Sequence, residues 1–220
     1  MALEAVKRML WRAAINPVNL AMFTEKALYA EGAIQRQIDA GSIFTLSLYQ
    51  WEHHVFLYYE TIERIIHPGA LLHEASAYLE SWPGEKEIRK WIPLVDVFHF
   101  NEPSGLEHWK RKSHVKRRVG QIGFLKPDLI PHYLFYHYAL QEERAFEGDK
   151  YEIIGLNGNI LFAYREQPEV IETPVTIPKL STNVVPKDWA DVGISSCFIP
   201  WPDMPSVWLR PMNEIISLWQ

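Results

Sequence analysis

Three stretches of this chain return later in the same order, and that internal similarity restricts the fold more than any other feature. VKRMLWRAAINP at 6–17 is echoed by VKRRVGQIGFLKP at 115–127, each a basic entry to an apolar run that ends in proline. FTLSLYQWEHHVFLYYETI at 44–62 is echoed by YEIIGLNGNILFAYREQP at 151–168. SWPGEKEIRKWIPLVDVF at 81–98 returns as PWPDMPSVWLRPMNEII at 200–216, with Trp-Pro, Trp, Pro and an acidic-apolar run. Offsets of roughly 106 to 119 residues are too long for a solenoid and match a small domain. The sequence therefore predicts a duplicated domain, with halves over 1–105 and 115–220 and a junction around 101–114.

Within each half the apolar periodicity reads β-α-β-β-α-β. In the first half, 6–15 is a strand, 20–39 a helix, FTLSLY and HVFLYYE a hairpin, LLHEASAYLESW a helix and IPLVDVFHF a closing strand. In the second half, Asp128 caps a helix that tolerates Pro131 in its first turn and runs to about Glu147. Asn157-Gly158-Asn159 between two apolar runs marks a tight hairpin. Four prolines between Pro168 and Pro186 remove backbone donors and predict a long loop. The expected class is α+β: two ferredoxin-like halves packed sheet to sheet as a pseudo-dimeric α+β barrel within one monomer.

Composition narrows the function classes. A net charge of −5 argues against general nucleic-acid binding, which needs a basic surface. Cys197 is the only cysteine, so no intrachain disulfide forms and a reducing compartment fits. No apolar run approaches the roughly 18 residues of a membrane span, and the first residues mix Lys and Arg into the apolar pattern, so a soluble, cytoplasmic protein is expected. Gly-rich phosphate loops, nucleophile elbows and cysteine metal motifs do not occur.

The nearly charge-free aromatic run KPDLIPHYLFYHYALQEE (126–143) places Tyr133 and His137 four residues apart on one helix face. By spacing alone they are either a proton-transfer pair or core packing, since a helix apolar nearly all round is usually buried. The adjacent histidines of WEHH (51–54) point to opposite faces of a strand and have no third ligand at suitable spacing, so a polar hairpin tip is expected and no metal. The basic segment 108–118, with six Lys or Arg in eleven residues, reads as a solvated linker.

The second half resembles the L-rhamnose mutarotase family: a strand ending in Pro127, then Tyr133, then His137, followed by the hairpin YEIIGLNGNILFAYRE. The resemblance implies a cofactor-free isomerase of a sugar such as L-rhamnose, with His137 as general acid/base, Tyr133 as its partner, and Tyr136, Trp189, Trp201 and Trp208 as candidate substrate contacts. The first half carries Phe23 and Ala27 at the matching distances from Pro17, which leaves it without transferable protons. The alternative expectation is a non-catalytic ligand-binding or assembly protein on the same scaffold. Fold analogy also admits a small-substrate oxygenase or haem-handling role.

Overall fold

The structure, a computed structural model, describes residues 5–82, 88–143, 147–176, 179–181 and 184–220, with the side chain of Trp189 outside that set. It is an α+β protein with antiparallel sheets. Residues 1–94, 103–114 and 212–220 form one compact unit, and 95–102 with 115–211 form a second.

Unit 1 contains β1 (Val6–Ala14), α1 (Leu20–Tyr29), α2 (Glu31–Asp39), β2 (Ile43–Trp51), β3 (His54–Ile62), α3 (Pro68–Leu71), α4 (His73–Ser76) and β4 (Ile92–Pro93). Side chains alternate across its strands. Trp11, Ala13, Ile15, Leu57 and Tyr59 meet Phe23, Ala27, Ile34 and Ile38 of the helices in one core. The intervening positions, among them Tyr49, Phe56, Tyr58 and Glu60, are buried as well. WEHH forms the turn of the β2–β3 hairpin, with Glu52 at φ 51.

Two elements of unit 1 depart from expectation. The helix expected over 20–39 is divided at Ala30, whose N–H bonds Ala27 O at 3.1 Å, a tightened i−3 turn. The helix expected over 71–82 is reduced to α3 and α4, interrupted at Leu72 (φ −120, ψ 47). The exposed end of β1 captures the chain beyond Ser76: Glu80 N donates to Ala14 O at 2.8 Å, and Leu79 bridges Ile15. Sheet pairing thus outcompetes the last helical turns.

Unit 2 contains β5 (Val95–His99), β6 (Arg117–Phe124), α6 (Ile130–Glu143), β7 (Gly148–Asp149), β8 (Ile153–Asn157), β9 (Ile160–Gln167), β10 (Ile171–Glu172) and β11 (Arg210–Pro211). The β8–β9 hairpin turns at Gly158 (φ 62), the positive φ expected of that motif. α6 ends at Glu143, and the expected continuation over 144–146 lies outside the described residues. The described residues between 168 and 188 are mostly irregular.

The closing strands differ most from contiguous halves over 1–105 and 115–220. Only β4 of IPLVDVFHF pairs with β1, and β5 then joins β8 in unit 2. At the other end β11 pairs with β6, and β12 (Asn213–Trp219) joins β2 in unit 1. The sheets therefore read β12-β2-β3-β1-β4 and β11-β6-β9-β8-β5. Pro93 and Pro211 occupy matching positions beside Trp11 and Gln121, and proline suits the end of an edge pairing because it has no N–H to donate. β5 and β12 each carry a register shift after the second paired residue, at Asp96/Phe98 and Glu214/Ile216.

The basic junction is exposed at Lys110, Lys112, Lys116 and Arg117, as a solvated linker would be, but it is anchored to unit 1 at two points. Trp109, at the end of α5 (Leu106–Trp109), is fully buried, and Trp109 Nε1 donates to Glu60 Oε1 at 2.9 Å. Arg111 donates to both Glu60 oxygens, one at 2.8 Å, and the Tyr58 hydroxyl donates to Oε1 at 2.6 Å. Burial by itself would raise the Glu60 carboxyl, but the Arg111 charge and these donors hold it below the usual carboxylate range. No helix among the described residues is long and apolar enough to cross a membrane.

Candidate functional site

Unit 1 encloses a pocket of about 470 Å³ lined by β1, α3, α4 and the 88–93 segment. β1 contributes Trp11, which is buried and whose register partners are Leu57 on one side and Pro93 on the other. The Trp11 indole nitrogen is shut off from solvent and lies beside the Tyr59 hydroxyl, which is engaged as donor to the Ile66 carbonyl. Burial pushes the Tyr59 phenol well up, so that hydroxyl keeps its proton.

His67 caps α3 ahead of Pro68: its Nδ1 accepts from Gly69 N at 3.1 Å. A Cβ on Gly69 would lie 3.2 Å from that Nδ1, so glycine leaves the imidazole room. The His67 ring meets Trp11 edge to face at 5.2 Å. Opposite them, Trp91 Nε1 donates to Ser76 Oγ at 2.9 Å, and Ser76 Oγ donates to Leu72 O at 2.7 Å. Lys90 Nζ donates to the carbonyls of Ser76 and Ala77 at the end of α4, at 2.7 and 3.2 Å. Arg89 and Ile88 form the exposed edge. The wall is thus two indoles and a proline.

The residues marked by the sequence lie in unit 2. Tyr133 and His137 are stacked at 3.8 Å and 24°, both buried, within a core that includes Phe98, Leu140, Ile154 and Phe198. His137 Nδ1 donates to Tyr133 O at 2.9 Å along its own helix. Burial holds the His137 imidazole down at about 4 despite that bond, and burial raises the Tyr133 phenol far above its ordinary value. Neither group changes charge near neutral pH.

Tyr136 is half-buried and packs against His132 and Phe135. Trp201 Nε1 donates to Trp208 O at 3.3 Å under the Arg210 guanidinium, and Trp208 stacks on Phe198 at 5.8 Å. Phe198 also meets Tyr133 edge to face, so it links the Tyr133–His137 stack to Trp208. Trp189 begins a short 3-10 helix, and its side chain lies outside the described residues.

Sequence reasoning passed over Trp11, His67, Trp91 and Lys90. The signals were the alternation of β1, which turns Trp11 to the helix side, and His-Pro-Gly at 67–69, a helix-start signature. No group of three His, Cys, Asp or Glu among the described residues is placed to hold a metal.

No protein-family model matches the chain, and no curated protein matches it. It is similar in structure to a putative monooxygenase from Lactobacillus acidophilus NCFM (TM-score 0.41, 8% identity, 99% of this chain and 97% of that one). It is also similar to a putative monooxygenase from Fusobacterium nucleatum (TM-score 0.38, 7% identity, 100% and 96%) and to an anthrone oxidase-like protein (TM-score 0.36, 10% identity, 97% and 92%). None of the three is a mutarotase, and no family match stands behind the resemblance to L-rhamnose mutarotases. The expected family membership, with its sugar isomerase activity, is therefore overturned. At these TM-scores the likenesses carry no activity to this chain either.

Proposed function

We propose that unit 1 carries the protein's chemistry on a small molecule, held in the pocket walled by Trp11 and Trp91. The supporting observation is the pocket's lining, in which Trp11, Trp91 and Pro93 stand together with His67, whose Nδ1 is already taken by Gly69 N–H. The pocket falls in the usual size range for small-molecule sites, about 300–1,000 Å³. The test is a ligand screen on the full chain, read by calorimetry and intrinsic fluorescence and repeated with Trp11→Phe. A true ligand loses severalfold in affinity when the indole wall is cut back to a phenyl ring, a fraction of one aromatic contact. Ligands whose affinity ignores the substitution would place the site elsewhere.

We further infer that the two units are ferredoxin-like copies of one duplicated domain with exchanged closing strands. In its support, Arg8 pairs in register with Glu60 as Arg118 does with Glu166, and Trp11 faces Pro93 as Gln121 faces Pro211. On the same reading Tyr133 and His137 serve as packing. Their stacking and the commitment of Nδ1 to the helix backbone favour that role.

A further inference from the structure

We infer that the β7–β10 pairing of unit 2 is a pH-sensitive clasp, in which proton uptake by the Asp149 side chain tightens the hold on residues 170–175. The two strands pair over only two residues each, Asp149 with Ile171 and Gly148 with Glu172. Lys150 N donates to Val170 O at 2.8 Å and lengthens the ladder by one bond. A two-stranded ladder this short is marginal by itself and depends on its side chains.

The Asp149 carboxyl ties the two strands together. Its Oδ1 accepts from Tyr151 N and from Val170 N, each at 3.3 Å, while Oδ2 is shut off from solvent and has no hydrogen-bond partner. A buried carboxylate with one oxygen unserved is costly, and a neutral carboxyl in the same place is less so. The neighbouring charges work in the same direction. Glu169 and Glu166, beyond and within β9, both oppose ionisation of Asp149. Arg165 stands 3.6 Å from Glu169 and Arg118 3.6 Å from Glu166, while Lys150 Nζ lies 3.2 Å from Glu172 in β10. Glu147, ahead of β7, accepts from Thr173 Oγ1 at 3.2 Å. Burial first, and then the two glutamates, push the Asp149 carboxyl up to about 6 against the pull of the two amide bonds.

Packing decides which strand gives way. A Cβ on Gly148 would overlap the ring of Phe100, part of the unit 2 core, so β7 is pinned. Residues 170–175 hang on the clasp and on Asn101, whose Oδ1 accepts from Val175 N at 3.0 Å and whose Nδ2 donates to Thr173 O at 3.3 Å. Loosening therefore falls on the β10 side. Opening hydrates the carboxyl, which then takes its ordinary value of 3.8. Between 3.8 and about 6 the closed clasp binds the extra proton, so it is tightest below 3.8, loosens as pH rises through that window and stays loose above it.

The test is amide hydrogen exchange on the full chain from pH 4.5 to 7.5, corrected for the intrinsic rate at each pH. Val170 and Lys150 report on the clasp, and the paired amides of the β8–β9 hairpin serve as reference. Opening at Val170 and Lys150 should rise roughly tenfold or more across this range, with no matching rise in the hairpin. Asp149→Asn keeps an oxygen acceptor for the two amides and removes the charge, so opening should stay at its low-pH level throughout. Exchange at Val170 and Lys150 that is flat with pH in the wild type overturns the clasp. So does a wild-type slope that survives in Asp149→Asn, since another group would then be titrating.

Discussion

The two units place different residues at matching register positions. At the residue of the first strand that meets the edge proline, unit 1 carries Trp11 and unit 2 carries Gln121. Two residues on, unit 1 has Ala13 and unit 2 has Gly123, onto which Leu209, the Trp208 carbonyl and Phe198 press so closely that a Cβ would lie 2.8, 2.9 and 3.2 Å away. On the first long helix Phe23 and Ala27 of unit 1 stand where Tyr133 and His137 stand in unit 2. One arrangement leaves a pocket; in the other, aromatic side chains crowd the glycine and Gln121 Nε2 is engaged by Leu209 O at 3.3 Å. A residue with chemical capacity is therefore not by itself a sign of a site. The histidine and tyrosine of unit 2 fill space, whereas a tryptophan in unit 1 borders it.

The largest expected effect tests the buried carboxylates that both units hold on their third long strand. Arg111→Met leaves Glu60 charged and fully buried, and should cost about 3–5 kcal/mol in urea denaturation. Arg118 stands 3.6 Å from Glu166, a looser pair, so Arg118→Met should cost less. An equal or larger loss in unit 2 would show that the junction segment is not what distinguishes the clusters.

Acid titration probes the buried histidines. His137 at about 4 lies below the roughly 6.5 of an unfolded histidine. Between these values the unfolded chain binds the extra proton, so stability is intact above about pH 6.5, falls as pH drops and levels off below about 4. Integrated over that window, His137 accounts for on the order of 3 kcal/mol. His54 in unit 1, lowered to about 4 by burial and then by Arg12 and His53, acts with the same sign but is only half-buried and contributes less. His137→Phe should therefore flatten the larger part of the acid slope. A slope unchanged by the substitution would mean that His137 titrates normally and reaches solvent.

Much of the frame was legible in the sequence, and the particulars show why the rest was not. The β2–β3 and β8–β9 hairpins, the start of α6 and the irregular residues after Gln167 follow from local signals: alternation, Asn-Gly turns and proline placement. The pairing of β5 with β8 and of β12 with β2 does not, because a strand's sequence specifies a buried face but not which edge it joins. The shortened α3–α4 region was lost to pairing with the end of β1, a tertiary competitor invisible to periodicity. The pocket escaped notice because its parts are 56 positions apart in Trp11 and His67 and 80 apart in Trp11 and Trp91, whereas Tyr133 and His137 sit conspicuously in one helix.

Gly123→Ala should cost about 1–3 kcal/mol, since the contacts on it include backbone that yields little. The reciprocal Ala13→Gly should cost no more than about 1 kcal/mol, the entropy of an added glycine. Comparable losses at both sites would erase the packing difference between the units.

The smallest effect separates the two tryptophans of the pocket, and it is the most direct check on the Trp11 N–H. Trp91→Phe removes a buried N–H that satisfies Ser76 Oγ, and should cost about 1–2 kcal/mol in thermal or chemical unfolding. Trp11→Phe removes an N–H that satisfies nothing within the protein, so the loss of ring volume is offset by relief of an unbonded buried donor. Its net effect should stay under about 1 kcal/mol in either direction. If Trp11→Phe destabilised the protein as much as Trp91→Phe, the indole would have a partner within the fold, the Tyr59 hydroxyl beside it.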